Sequence, residues 1–456
     1  MKRLFSRLFD AVRASYWFLP SVMAVLAIVL GAVMVWLDAG PGTGLLSELG
    51  WYQKAKPDGA HQVLSTIAGS MITVAGVVFS ITIVAIAYAA SQYGPRILTN
   101  FMSDRGNQVT LGTFIATFVY CLVVLRTIRG GDGDAQFVPQ MAVMVGLLLA
   151  LCSIAVFIYF IHHVPNSIHI NNVVAQIGRQ LIDGVQERFP AFIGDRPEDH
   201  DGAVEPSLKA LAQLRGEAGE TASVCSQATG YIQGIDDEAL LQAATEHDLV
   251  VRLRHQPGDY IHSGRIIIEA WPPERLTDEA AEDLRDSYSI GSGRTPYGDL
   301  TFLVDELVEI GARALSSGVN DPYTAMTCLD WLGAGASEMA SRRFPSPQRV
   351  DEEGVVRVLA RPQTFAGFIR RGFGGMRQYV ARDMNAAVHA LLTMGAVAES
   401  CRSVEAIEAL ESEIAKLKSL YRLELQAAAL DRVEEEAEDV EQMLSQRRKL
   451  LKDKEP

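Results

Sequence analysis

Between His61 and Arg96 the chain carries no charged residue, and this stretch restricts its folding more than any other. Its middle, Leu64 to Ser91, predicts a helix roughly 42 Å long at ~1.5 Å per residue, which exceeds the ~30 Å hydrocarbon core of a bilayer. At helical periodicity one stripe collects Thr66, Gly69, Ser70, Thr73, Gly76, Val77, Ser80, Val84, Ala87 and Ser91, with Tyr88 at its edge. Met71, Ile72, Val78, Phe79, Ile83 and Ile86 fall on the other side, bulky and purely apolar. Lipid suits only the second surface. The small stripe serves either close helix packing, with hydroxyls bonded to carbonyls, or the lining of a wet pore. The sequence leaves both open.

Three further apolar runs accompany it. Trp17 to Leu37 is a span with Trp17 and Trp36 near its ends, where interfacial aromatics belong. Its apolar core is too long for a cleaved signal peptide, so the reading is an uncleaved span. Val109 to Leu125 and Val138 to Ile161 complete a set of four, with Tyr93-Gly94-Pro95-Arg96 stopping the second helix. Lys2, Arg3, Arg7 and Arg13 give the N-terminal segment four basic residues against two in each loop between spans, which places both termini in the cytoplasm. Those four residues sit among Leu4, Phe5, Leu8, Phe9 and Val12, as in a helix lying on a membrane surface.

Beyond Ile161 the chain turns soluble and acidic, and the net charge of −14 excludes a nucleic-acid partner. The five cysteines, Cys121, Cys152, Cys225, Cys328 and Cys401, lie far apart with no metal or redox spacing, as free thiols in a reducing compartment do. His162, His163 and His169 read as a polar collar past the fourth span, since they lack the acidic or thiol companions of a metal site. No cofactor motif occurs. Neither a nucleophile triad, a phosphate loop nor a metal helix is present, so the chain does not read as an enzyme.

The soluble part begins with a helix over Asn171 to Phe189, a loop over Asp195 to Ser207 and a helix near Leu208 to Gly216. A β region follows, with Ala222–Gly230 and Tyr231–Gly234 as a strand pair. Asp236 to His247 is a capped helix, Leu249 to Arg254 a strand, and Tyr260 to Ala270 a returning strand. Gly230-Tyr-Ile-Gln and Pro257-Gly-Asp-Tyr-Ile-His-Ser-Gly264 are similar to the hairpins of biotinyl and lipoyl carriers. They lack the carrier lysine, which implies a small structural barrel.

Asp299 to Leu315 is a buried helix, after which Gly318 suits a left-handed C-terminal position and Asp321 and Pro322 open the next helix. Capping explains that loop, but Arg294, Arg313, Ser317, Asn320 and Asp321 also make it a candidate ligand loop. Gly354 to Leu359 reads as an edge strand, and Arg370, Arg371, Arg377 and Arg382 as a basic helix suited to a membrane surface. Val404, Ile407, Leu410, Ile414, Leu417 and Tyr421 form a seam that needs a partner helix, from another copy or from around Val388 to Val397. It fades after Ala428 into an acid run and a frayed basic tail, Arg447 to Lys454.

Gly94-Pro95-Arg96, Gly230-Tyr-Ile-Gln, Pro257-Gly-Asp, Arg294-Thr295 and Ala314-Leu-Ser-Ser-Gly-Val-Asn-Asp-Pro-Tyr-Thr-Ala325 together resemble the predicted bacterial membrane proteins of domain-of-unknown-function family 2254. That resemblance implies an inner-membrane protein and transfers no functional residue.

The expected architecture is therefore a four-helix membrane protein with a cytoplasmic α+β region holding a small barrel-like module and a C-terminal bundle or coiled coil. Its segments are an amphipathic helix (1–15), a membrane domain (16–165), connecting helices (166–220), a β module (221–275), a helical domain (276–400) and a charged C-terminal helix (401–456). The expected function is an oligomeric ion channel in the lipid bilayer with a cytoplasmic vestibule. The alternative is a membrane-anchored sensor or scaffold without transport activity.

Overall fold

A computed structural model describes residues 17–40, 56–94, 104–130, 137–189, 221–295, 299–361 and 363–453. The expected helices over 1–15 and 208–216 lie outside these residues. The chain divides into two compact units, Met1–Val173 and Val174–Pro456.

The first unit holds α1 (Phe18–Ala39), α2 (Pro57–Tyr93), α3 (Arg105–Leu125) and α4 (Gln140–Ile168), and all four are long and apolar enough to cross a membrane. α3 is the central member, packing on the other three. Tyr120, Cys121 and Val124 of α3 are fully buried against Leu64 and Ala68 of α2 and Ala142 of α4, and Phe114 of α3 against Met71, Ala75 and Val78 of α2 and Phe160 of α4. Close approach depends on glycine at four places, one of them Gly106, where a Cβ would meet His163 Nε2 at 2.5 Å. A Cβ on Gly31 would meet Val123 at 3.0 Å, one on Gly146 would meet Leu64 at 2.9 Å, and one on Gly112 would press on Met23 at 2.5 Å. Small residues thus let backbones approach where lipid offers no hydrophobic drive.

The ends of these helices are tied by polar contacts. Asp38, in the last turn of α1, accepts from the backbone N–H groups of Met141 (3.1 Å) and Ala142 (2.9 Å) at the start of α4. Asp104 caps α3 through Gly106 N–H (2.7 Å) and meets His163 Nε2 of α4 at 2.8 Å. His163 stacks on Tyr159 with ring centroids 5.0 Å apart, whereas His162 and His169 are exposed. Within the span, Thr117 and Ser153 share a buried hydrogen bond of 3.0 Å, and Tyr120 donates to the Ala142 carbonyl at 2.8 Å. Such pairing is what lets polar groups sit in an apolar medium.

The second unit starts within α5 (Ile170–Arg188), whose Val174, Ile177, Leu181 and Val185 are fully buried. The β region comprises β1 (Ala222–Cys225), β2 (Gly230–Ile235), α6 (Asp237–Glu246), β3 (Val250–Leu253), β4 (Tyr260–Ile261), β5 (Ile266–Trp271), α7 (Asp278–Asp286) and β6 (Tyr288–Gly291). After α8 (Leu300–Ala314) and α9 (Pro322–Ala340), β7 (Gln348–Val350) and β8 (Val356–Leu359) complete the sheets. Four more helices end the chain: α10 (Phe365–Val380), α11 (Met384–Ser400), α12 (Val404–Glu424) and α13 (Ala427–Lys452).

No closed barrel forms among the described residues. A five-stranded sheet of order β1-β5-β3-β8-β7 and a three-stranded sheet of order β4-β2-β6 take its place. β1 does not pair with β2, because it lies antiparallel to β5 with Val224 opposite Ile268. The stretch from Tyr260 to Ala270 is not one strand: it breaks after Ile261, its first part joining β2 and its second β1 and β3. The strand expected at the sheet edge, β8, lies inside it, parallel to β3 and antiparallel to the true edge strand β7. Alternation then sorts the five-stranded sheet. Val224, Val251, Ile268 and Val358 share the face covered by Leu240 of α6 and Leu284 of α7. Arg252 and Arg254 meet Glu269 on the other face.

In the helical part the seam residues Ile407, Leu410, Ile414, Leu417 and Tyr421 are buried within the chain, where α12 packs on α10, α11 and α13. The partner helix is intramolecular. α13 continues through the acid run to Lys452, burying Val433, Ala437, Val440 and Leu444. As far as Lys452 the basic segment is helical rather than frayed, and Arg447 donates to the Cys401 carbonyl (2.9 Å) while Arg448 pairs with Glu411 (3.1 Å) and Glu408.

Candidate functional site

The α2 stripe is best judged from its packed neighbours. Leu64, Ala68, Met71, Ala75, Val78, Thr82 and Ala89 are buried, so this row faces the other helices. Of the apolar side expected to meet lipid, Met71 and Val78 are therefore packed, whereas Ile72, Phe79 and Ile83 are exposed. All ten stripe residues (Thr66, Gly69, Ser70, Thr73, Gly76, Val77, Ser80, Val84, Ala87 and Ser91) point away from the bundle and are exposed. Val84 is 68% exposed, and a Cβ on Gly69 or Gly76 would meet nothing within 4 Å. The contrast with Gly31, Gly112 and Gly146 is decisive: among the described residues nothing packs on the stripe's glycines.

Four of its five hydroxyls are engaged locally. Thr66 donates to the Gln62 carbonyl, Thr73 to Gly69, Ser80 to Gly76 and Ser91 to Tyr88, at 2.8 to 2.9 Å. These four hydroxyls therefore satisfy their donors within the helix.

The candidate ligand loop is not one site. Arg294 lies before α8, while Arg313 is in the last turn of that 15-residue helix and Ser317, Asn320 and Asp321 lie past it, roughly 20 Å away at ~1.5 Å per residue. Asp321 caps α9, accepting from Thr324 N–H (3.2 Å) and Thr324 Oγ1 (2.6 Å). Asn320, not Gly318, takes the left-handed conformation, with φ of 51°. Arg313 reaches Glu309 on its own helix at 3.9 Å. Ser317 is exposed.

Arg294 instead organises a buried ion network. Its Nη2 donates to Asp299 Oδ2 (2.6 Å) and Thr301 Oγ1 (2.8 Å), its Nη1 contacts Asp305, and it lies 5.7 Å over the Phe302 ring. Asp299 is 1% exposed and caps α8 through Thr301 N–H at 2.9 Å. Arg371 of α10 grips Asp305 with two bonds of 2.6 and 2.7 Å. Burial alone would raise the Asp305 carboxyl, but hydrogen bonds from Arg371 and Arg294 outweigh it and hold the group below the usual carboxylate range. Arg377 is likewise bound to buried Glu413 at 2.5 and 2.9 Å and Arg382 reaches Glu424 at 3.4 Å, so three of the four basic residues expected at a membrane surface are committed to ion pairs inside this unit.

Two anchors escaped sequence reasoning, the Asp38 cap and the Asp104–His163 pair. Asp104-Arg-Gly106 before an apolar run carried a capping signal for the second, while Asp38 caps a helix more than a hundred residues away and carried none. Among the described residues no group of three His, Cys, Asp or Glu side chains could hold a metal ion. Cys328 and Cys401 are fully buried, and desolvation pushes the Cys401 thiol up to about 12.

Uncharacterised proteins of Mycobacterium bovis and Mycobacterium tuberculosis are each 29% identical to this chain over 411 residues, covering 89% of it and 76% of their own length. No solved structure matches. Residues 13–396 match the family described as predicted membrane protein, domain of unknown function 2254. With four apolar helices of spanning length and most of the chain inside the match, this protein belongs to that family.

Proposed function

We propose that the protein is an oligomeric pore in a bacterial inner membrane, with α2 of each copy lining the lumen. Both termini and the second unit then lie in the cytoplasm, the latter as vestibule or regulatory domain without catalytic activity. The observation that carries this reading is the exposure of the whole stripe from Thr66 to Ser91. A chain that only anchors itself gains nothing from glycine and hydroxyl groups facing lipid, and one span would suffice. A lumen accepts small residues, and hydroxyl oxygens with spare lone pairs can wet it.

A second reading is favoured by one detail. Four of the stripe's hydroxyls are already bonded to carbonyls of their own helix, which suits close packing of one copy's α2 on another's without a lumen. The spans then hold a sensor or scaffold at the membrane. Recording from purified protein in a planar bilayer separates the two. A pore conducts as wild type and loses conductance or open probability in Gly76→Leu and Ser80→Leu. Silence of the wild type across voltage, tension and pH, or normal conduction by both variants, rules the pore out.

A further inference from the structure

A crevice of about 150 Å³ opens in the second unit where the parallel strands β3 and β8 end. Open sheets with parallel strands bind ligands outside the carboxyl ends of those strands, because loops diverge there and helix N-termini converge. Here the first turn of α6 forms one wall through Leu240, while Leu253 and Val358 form an apolar floor. Around that floor stand Arg349, Arg361 and His255.

The two arginines differ from their neighbours. Arg294, Arg357, Arg371 and Arg377 are each bound to carboxylates. Arg349 donates only to the carbonyls of Ser346 (2.6 Å) and Gln348 (3.0 Å), and Arg361 to that of Arg254 (3.3 Å). Among the described residues neither meets a carboxylate in an ion pair. Arg349 also stands directly opposite Val358 in the β7–β8 ladder, so it shares the face that α6 covers. The one acid on the rim, Asp237, is exposed, and water screens its charge. The His255 ring is steadied by Asp259, 3.3 Å from its Nδ1.

We propose that this crevice binds a small organic carboxylate, its apolar body on Leu240, Leu253 and Val358 and its carboxylate between Arg349 and Arg361. A cavity of this volume accommodates roughly one six-membered ring, and guanidinium groups match a carboxylate in fork geometry. The site goes beyond the pore reading and does not depend on it. The competing account makes Arg349 an inward charge that guards the edge strand β7 against pairing with another sheet.

The test uses the full chain in detergent micelles, with calorimetry and thermal unfolding as readouts and benzoate, benzyl alcohol and inorganic phosphate as probes. The site predicts that benzoate binds and raises the melting temperature, with benzyl alcohol and phosphate each about tenfold weaker or more. Arg361→Gln, at an exposed position, and Arg349→Gln should each weaken benzoate about tenfold. Ala360→Leu, which narrows the crevice, should abolish binding. The wild-type comparison of benzoate with benzyl alcohol holds even where a variant fails to fold. The proposal is overturned by absence of benzoate binding, by equal binding of benzyl alcohol or phosphate, or by unchanged affinity in both arginine variants.

Discussion

The carboxylate of Asp38 caps a helix that begins about a hundred residues later: its Oδ2 lies 2.9 Å from the backbone nitrogen of Ala142. With Met141 bonded to Oδ1 at 3.1 Å, one side chain satisfies two otherwise orphaned donors at the start of α4. A negative charge there also complements the helix dipole. Asp38→Ala should therefore lower the stability of the spans by about 1–2 kcal/mol. Thermal unfolding in detergent, followed by circular dichroism, should show the drop, with Asp38→Asn in between.

Removal of Arg294 should be far more damaging than removal of Arg371. Arg294→Ala strands the Asp299 carboxylate at 1% exposure, and breaking a buried pair this way costs roughly 3–5 kcal/mol. The Arg371 side chain is 43% exposed, so Arg371→Gln should cost only about 1 kcal/mol. Urea unfolding of the full chain, reported by protection of α8 amides from hydrogen exchange, distinguishes the two.

Acid should weaken the same network. The Asp305 carboxyl is held below its ordinary value by Arg371 and Arg294, so its contribution is complete above the unfolded pKa. That contribution is lost as pH falls through the lower, folded value. Unfolding midpoints recorded from neutral pH to strong acid should fall below about pH 4. Asp305→Asn should flatten that fall while lowering stability at neutral pH.

Leu410 and Ile414 are at most 1% exposed within one chain, which separates stability from assembly. Leu410→Ala should destabilise the second unit by about 2–5 kcal/mol through lost burial and a residual cavity. Light scattering should give the same particle mass as wild type, since this seam closes inside one chain.

Much of the architecture was legible because local chemistry decides it. Four long apolar runs have no other way to bury themselves, and Asp236, Asp299 and Asp321 mark the starts of α6, α8 and α9 by capping. Pairing was not legible. β1 finds its partner β5 more than forty residues away, and nothing in Ala222-Ser-Val-Cys225 distinguishes that strand from the adjacent β2. At the candidate site, periodicity gathered Thr66 to Ser91 on one face of α2. Which way the face turned depended on neighbours: Gly31, Gly112 and Gly146 look no different in sequence from Gly69 and Gly76. Arg294 and Arg313 were grouped as cations near one loop, but the length of α8 holds them apart.

The central claim is that the exposed stripe of α2 faces water inside an assembly of copies. Single cysteines in membranes test it most directly, in a background with Cys152→Ala and Cys225→Ala, the remaining cysteines being buried. A charged, membrane-impermeant thiol reagent should label Gly69→Cys, Thr73→Cys, Gly76→Cys and Ser80→Cys. It should leave Ile72→Cys, Phe79→Cys and Ile83→Cys untouched, a pattern with helical period. Labelling confined to the helix ends, with the four stripe positions as inert as the other three, would contradict the account.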